Sequence, residues 1–299
     1  MCRDVFPFIL IFFVRHNTFS KEKLSMDPNT FTHAVFLYLM NVIFMIAGIF
    51  LNSVVIISLR RSSQLRKKLC YFMILPLSCF DLAVVAIGHP ILIYYTILFS
   101  MDTHSQAEKK WIWMQVILSN LAVFSMSALL TLGVERFLAL KYPFFHQTAI
   151  TRKRLTLFLT FLVVITVTLS SLKSLDETIF GSLLMVFILI FLFVFIYLNY
   201  TTYIIAKSKS KQKSIVSMHG HQDIKAQKLN LKQIFTCLIA LGWFIICYFP
   251  TIVCWILHPM LDMFANDRPG HLLRIWLGTS SAMNSTFNYL IFFWKNSIL

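Results

Sequence analysis

The stretch LGVERFLALKYPF, Leu132–Phe144, closes an apolar run of helical length with an adjacent acid and base, Glu135 and Arg136, and sets a Tyr-Pro-Phe six residues after the arginine. Two charges at that point demand a reason, and the setting of the run comes first. Of 299 residues 58% are hydrophobic and 13% charged, more apolar than a soluble domain of this length can hide in one core. The chain therefore reads as membrane-embedded. Thirty phenylalanines against eight glycines and eight prolines, in long uninterrupted runs, predict helices rather than the alternating segments of an outer-membrane barrel.

Working outward, seven apolar stretches are long enough to cross a hydrocarbon layer about 30 Å thick. They are His33 to Leu59, Leu69 to Phe99, Trp111 to Leu140, Leu155 to Leu172, Ile179 to Ala206, Leu231 to Leu257 and Leu272 to Trp294. The expected fold is all-α, a seven-transmembrane helix bundle over residues 33–294. Lys and Arg collect in alternate joints: Arg60, Arg61, Arg66, Lys67 and Lys68 after stretch one; Lys141, Arg152, Lys153 and Arg154 after stretch three; Lys207 to Lys232 after stretch five. Those joints are expected to face the cytoplasm, which puts the N-terminus outside and the C-terminus, residues 295–299, inside as a short stub. The net charge of +15 then expresses topology and attraction to anionic membrane lipids, and no nucleic-acid partner is expected.

Residues 1–32 form an expected extracellular segment. Its run VFPFILIFFV, Val5–Val14, has the length of a signal-peptide core and is too short to span, yet no small-x-small cleavage site follows. An uncleaved interfacial segment and an upstream extension of a chain starting at Met26 both fit. Of the six cysteines, Cys2, Cys70, Cys79, Cys237, Cys247 and Cys254, all but the first lie in stretches or at their ends, with no metal-site spacing.

Asp81, in LSCFDLAVV, is the one acid deep in any stretch. A buried acid is costly and by default faces the bundle interior with partners. A neutral structural Asp and a functional one are both open readings. The polar company at comparable depth is Asn52, Ser125, Asn284 and Asn288. One carboxylate among neutral oxygen donors suits a small hard cation such as Na⁺, or a proton in its place. For Arg136 the plain reading is a side chain snorkelling to the headgroups at a helix end.

The context of Glu135-Arg136 resembles the Glu/Asp-Arg-Tyr motif of rhodopsin-like (class A) G-protein-coupled receptors, with Phe137 for Tyr and Pro143 in the following joint. Asp81 in LSCFD is similar to that family's sodium-site aspartate, and Asn52 in GIFLNSVVI to its helix-one asparagine. FIICYFP resembles F-x-x-C-W-x-P, with Phe244, Cys247 and Pro250 in place and Tyr248 for the toggle tryptophan. NYLIF resembles N-P-x-x-Y, with Asn288 in place, Tyr289 for Pro and Phe292 for Tyr. These five matches fall in order, one in each expected helix. The ending NSTFN…FFWKN also resembles divergent orphan receptors of cnidarian type.

The resemblance implies a plasma-membrane receptor that couples an extracellular ligand to a heterotrimeric G protein. Arg136, held by Glu135 at rest, would be the switch, Na⁺ at Asp81 an allosteric ligand, and Pro250 the kink about which stretch six swings. A plain packing kink remains the alternative for Pro250. Trp111 in place of a cysteine, the short joint SLKSLDETIFG and the absence of proline in stretch five resemble the melanocortin branch. That branch's acidic ligand-binding positions fall here on Trp111, Gln115 and Ile91, so its pharmacology does not carry over. Leu118 in place of the amine receptors' aspartate and Ala282 in place of the opsins' lysine exclude ammonium ligands and retinal.

The expected ligand pocket holds His89, Gln115, Leu118, Ser119 and Tyr248 and suits a lipid, an uncharged small molecule or a short peptide. No convergent set of His, Asp, Glu or Ser points to an enzyme. The alternatives carried forward are a receptor fold without signalling and a membrane transporter, the latter lacking the expected repeats and paired buried charges.

Overall fold

The computed structural model describes residues 28–63, 67, 69–100, 104–171, 177–216, 239, 242–257 and 268–288. The run Val5–Val14, Lys173, the basic joint beyond Val216, Tyr289, Phe292 and the stub 295–299 lie outside the described residues, as does most of the first half of stretch six. Among the described residues there is no strand.

The helices, in chain order, are α1 (Pro28–Arg61), α2 (Leu69–Ser100), α3 (His104–Lys141), a short α4 (Pro143–Ala149), α5 (Arg152–Ser171), α6 (Glu177–Val216), α7 (Gly242–Leu257) and α8 (Arg268–Phe287). Five of them, α1, α2, α3, α5 and α6, are long and apolar enough to cross a membrane, and α7 adds a shorter apolar helix. The chain is thus an all-helical, membrane-embedded protein. The first helix starts at Pro28, before the expected His33, because proline suits a helix's first turn, where its missing N–H has no intrahelical partner.

Apolar side chains cover the outer surfaces, as on Ile46, Phe50, Phe161 and Phe193. With lipid on one side and protein on the other, sequence periodicity is weak, and polarity marks the inward face instead. Asn41, Asn52, Ser78, Asp81, Ser125, Ser127, Thr131, Asn284 and Asn288 are all buried. The third helix is central, packing on α2, α5 and α6, while α1, α2 and α8 pack on one another.

Two local features position the site. In α2 one π turn, Val84–Gly88, separates Asp81 from His89. Pro90 follows immediately; it lacks an N–H and its ring crowds the carbonyl of Ala86, so the ladder widens by one residue there. The added residue re-aims the second half of α2. The helices also approach closely at glycine: a Cβ on Gly48 would lie 2.6 Å from Val85 Cγ1 and 2.8 Å from Thr286 Oγ1. Only a residue without a side chain lets α1 sit this near α2 and α8.

Candidate functional site

A buried polar centre is built from three helices. Asp81 of α2 is fully buried. Its Oδ1 accepts from the Ser125 hydroxyl of α3 and its two oxygens from Asn288 Nδ2, at 3.3 and 3.0 Å, just past the end of α8. Residues 81, 125 and 288 thus meet although far apart in sequence. Asn52 turns elsewhere: its Nδ2 donates to Gly48 O at 3.0 Å and to Ser285 O at 3.2 Å, tying α1 to α8 beside the centre. Asn284 lies four residues before Asn288 and so on the same face of the α8 turn. It is buried, and both polar atoms of its amide are without a hydrogen-bond partner. An orphaned amide oxygen there fits the neutral oxygen donors that a hard cation takes alongside one carboxylate. Among the described residues no three His, Cys, Asp or Glu gather to hold a metal.

At the other end of α3 the charged pair is present as a pair. Arg136 Nε lies 3.7 Å from Glu135 Oε2. The acid is 3% exposed, and its other oxygen accepts from His146 Nε2 of α4 at 3.2 Å. The guanidinium Nη2 also donates to the thiol sulfur of Cys70, at the start of α2. Lys141 stands aside, its ammonium over the rings of Phe137 and Tyr142 at 5.1 and 5.2 Å.

In α7, Phe244 is fully buried against Phe191 and Phe195 of α6, both at 5.6 Å between centroids, and Tyr248 lies 4.5 Å from it. Around Pro250 the helix continues to Leu257 and is tied to α8. Ser280 Oγ donates to Cys247 O at 2.8 Å, and the hydroxyls of Thr251 and Ser281 are 3.3 Å apart. A proline frees backbone carbonyls in the preceding turn, and hydroxyls of a neighbouring helix are the usual way to satisfy exposed backbone in a membrane.

Of the five residues expected to line a pocket, four have contacts that can be described. His89 is fully buried, its Nδ1 donating to Asn41 Oδ1 at 2.8 Å, while Asn41 Nδ2 donates to Leu37 O and Thr279 Oγ1, both at 2.8 Å. Leu118 packs on Val84, Leu92 and Ala282. Ser119 Oγ donates to Val116 O of its own helix at 3.1 Å, Tyr248 packs on Phe244, and Gln115 is half-buried. Sequence reasoning passed over the Asn41–His89–Thr279 link, although Asn41 in an apolar run was itself a signal. It also missed the bond between Tyr95 OH and His271 Nδ1 that joins the ends of α2 and α8.

A membrane-embedded helical protein with a buried polar centre and a charge cluster at a helix end is the class the described elements define. No protein-family model matches the chain, and no curated protein matches it either.

Proposed function

We propose that the chain is a rhodopsin-like G-protein-coupled receptor of seven helices, with its N-terminus outside, its C-terminus in the cytoplasm and its place in the plasma membrane. In this reading the seven are α1, α2, α3, α5, α6, α7 and α8, and α4 is part of the second cytoplasmic joint. The carrying observation is that Asp81, Ser125 and Asn288, each singled out from a different stretch, meet in one hydrogen-bonded centre.

Around that centre the roles follow from chemistry. Asp81 with the oxygens of Ser125 and Asn284 would hold Na⁺, which when bound neutralises the carboxylate and ties α2 to α3 and α8. Arg136 is kept against α3 by Glu135, and a guanidinium trades a carboxylate for other acceptors without losing its charge. An outward swing of α7 about Pro250 would break the Ser280–Cys247 and Thr251–Ser281 bonds and open the cytoplasmic end to a G protein. The ligand remains of the uncharged, lipid-like or short-peptide kind, since no buried anion faces the outer half among the described residues.

The test is a G-protein activation panel read by resonance energy transfer in cells, on the natural chain, Arg136→Ala and Asp81→Asn at equal surface level. Basal activation of one G-protein class that Arg136→Ala abolishes is the expected result. Activation that is unaffected by Arg136→Ala sinks the switch. A second reading, a receptor fold without signalling, is favoured by Tyr248 packed where the family carries its tryptophan. Silence of the natural chain against a lipid and peptide library would support it.

A further inference from the structure

Glu135 has two basic partners, and only one of them belongs to the familiar pair. Its Oε2 faces Arg136, and its Oε1 accepts from His146 Nε2 at 3.2 Å. The histidine comes from α4, a helix that packs on α3. The α4 segment is held at its ends by backbone bonds, His146 N to Tyr142 O at 2.9 Å and Ile150 N to His146 O at 3.2 Å, and by Arg154 Nη1 donating to Ala149 O at 2.6 Å. Its one side-chain link to α3 among the described bonds is His146–Glu135.

Among the described contacts, these charged groups stand around that link. From α3 the ring meets Glu135, with Arg136 across the carboxylate; Lys141, at the end of α3, is engaged by Phe137 and Tyr142; from α5, Arg154 is engaged by a backbone carbonyl. Histidine is the side chain whose ordinary titration falls between pH 5 and 8. A neutral imidazole donates one bond to Glu135; a protonated one adds a charge-assisted bond and faces Arg136 as a like charge.

We propose that His146 is a pH-sensitive clasp: its protonated ring draws α4 onto Glu135 and competes with Arg136 for that carboxylate. The sign follows from linkage. A base that gains an anionic partner in its charged form contributes stabilisation at low pH and loses it at high pH. Acidification therefore tightens α4 and loosens Arg136. The second half of this inference rests on the receptor reading above; the first half does not.

The experiment is hydrogen exchange by mass spectrometry on the full chain in lipid nanodiscs, at pH 6.0 and 8.0, with rates corrected for intrinsic exchange. Protection of residues 143–150 is expected to be roughly threefold or more greater at pH 6.0. His146→Gln keeps a neutral donor, and Glu135→Gln removes the charge that the ring pairs with. Both variants should keep the weaker protection at either pH. Equal protection of the natural chain at both values, or an undiminished pH effect in His146→Gln, overturns the clasp. G-protein nucleotide exchange in the same nanodiscs, expected to rise at pH 6.0, separates the two halves. A pH-dependent protection with no change in nucleotide exchange between the two pH values keeps the clasp and overturns the loosening of Arg136.

Discussion

Two buried acids of this chain keep opposite company. Asp81, fully buried, meets a hydroxyl and an amide; Glu135, 3% exposed, lies between a guanidinium and an imidazole. An acid among neutral donors has no cation of its own and responds by taking one, or a proton. An acid between a guanidinium and an imidazole responds by changing partner. The same functional group thus sits in two kinds of setting, and the difference lies in which neighbours the helices bring, not in the depth of burial.

The largest effect expected comes from emptying the first site. Asp81→Leu leaves Ser125 Oγ and Asn288 Nδ2 buried without their acceptor, each costing on the order of 1–3 kcal/mol. Asp81→Asn keeps the shape and one acceptor oxygen while removing the need to bury charge. Thermal unfolding of the purified chain in detergent is expected to show a large fall for the leucine variant and an unchanged or higher midpoint for the asparagine variant. Equal losses in the two would mean that the charge itself holds the centre, and the contrast with Glu135 would break.

Packing around the same centre ranks next. Alanine has the higher helix propensity, yet Gly48→Ala is expected to destabilise by about 1–3 kcal/mol, since its Cβ would meet Val85 at 2.6 Å and Thr286 at 2.8 Å. Valine's branched side chain has little rotamer freedom with which to yield. Gly278→Ala meets only the terminal Cδ2 of Leu92, at 2.7 Å, and a flexible leucine end can turn away. The first variant should therefore lose more than the second in the same melting assay. The reverse order would place the rigid contact at α8 rather than at α1.

Removing the second acid should be milder. Breaking a fully buried ion pair costs about 3–5 kcal/mol, but the Arg136 side chain keeps 15% exposure and can reach water. Glu135→Ala is expected to cost about 1–2 kcal/mol. Chemical denaturation of the two single variants and the Glu135→Ala/Asp81→Asn double variant should give additive changes in stability, as for separate sites. Strong coupling would join the two sites into one network.

How much of this was legible in the sequence depends on the element. The convergence of Asp81, Ser125 and Asn288 was readable because polar residues in apolar helices have few acceptable places and must face one another. Asn52 was read as part of the same centre, but its amide bonds backbone carbonyls at Gly48 and Ser285, a choice set by how closely Gly48 lets α1 approach. The His89–Asn41 bond depends on the π turn at Val84–Gly88, and a widened ladder leaves no mark in hydrophobic periodicity. His146 escaped notice because its meeting with Glu135 needs the chain to turn at Tyr142 and re-form a helix from Pro143. A ligand pocket is hard to read from such a sequence, since aromatic and apolar lining looks the same whether it packs on a ligand or on itself.

The smallest expected effect concerns the third partner of the charged cluster. Arg136 Nη2 donates to the sulfur of Cys70, and a thiol is a weak acceptor, so this contact holds the guanidinium less firmly than an oxygen would. Cys70→Ala is expected to cost less than about 0.5 kcal/mol, and Cys70→Ser, which offers a better acceptor on a shorter reach, to be neutral within that range. The informative quantity is the coupling. In a double-mutant cycle with Arg136→Ala, the cost of Cys70→Ala should disappear, because the contact it removes is already gone. A cost that persists unchanged without the arginine would assign Cys70 to the packing between α2 and its neighbours rather than to the hold on Arg136.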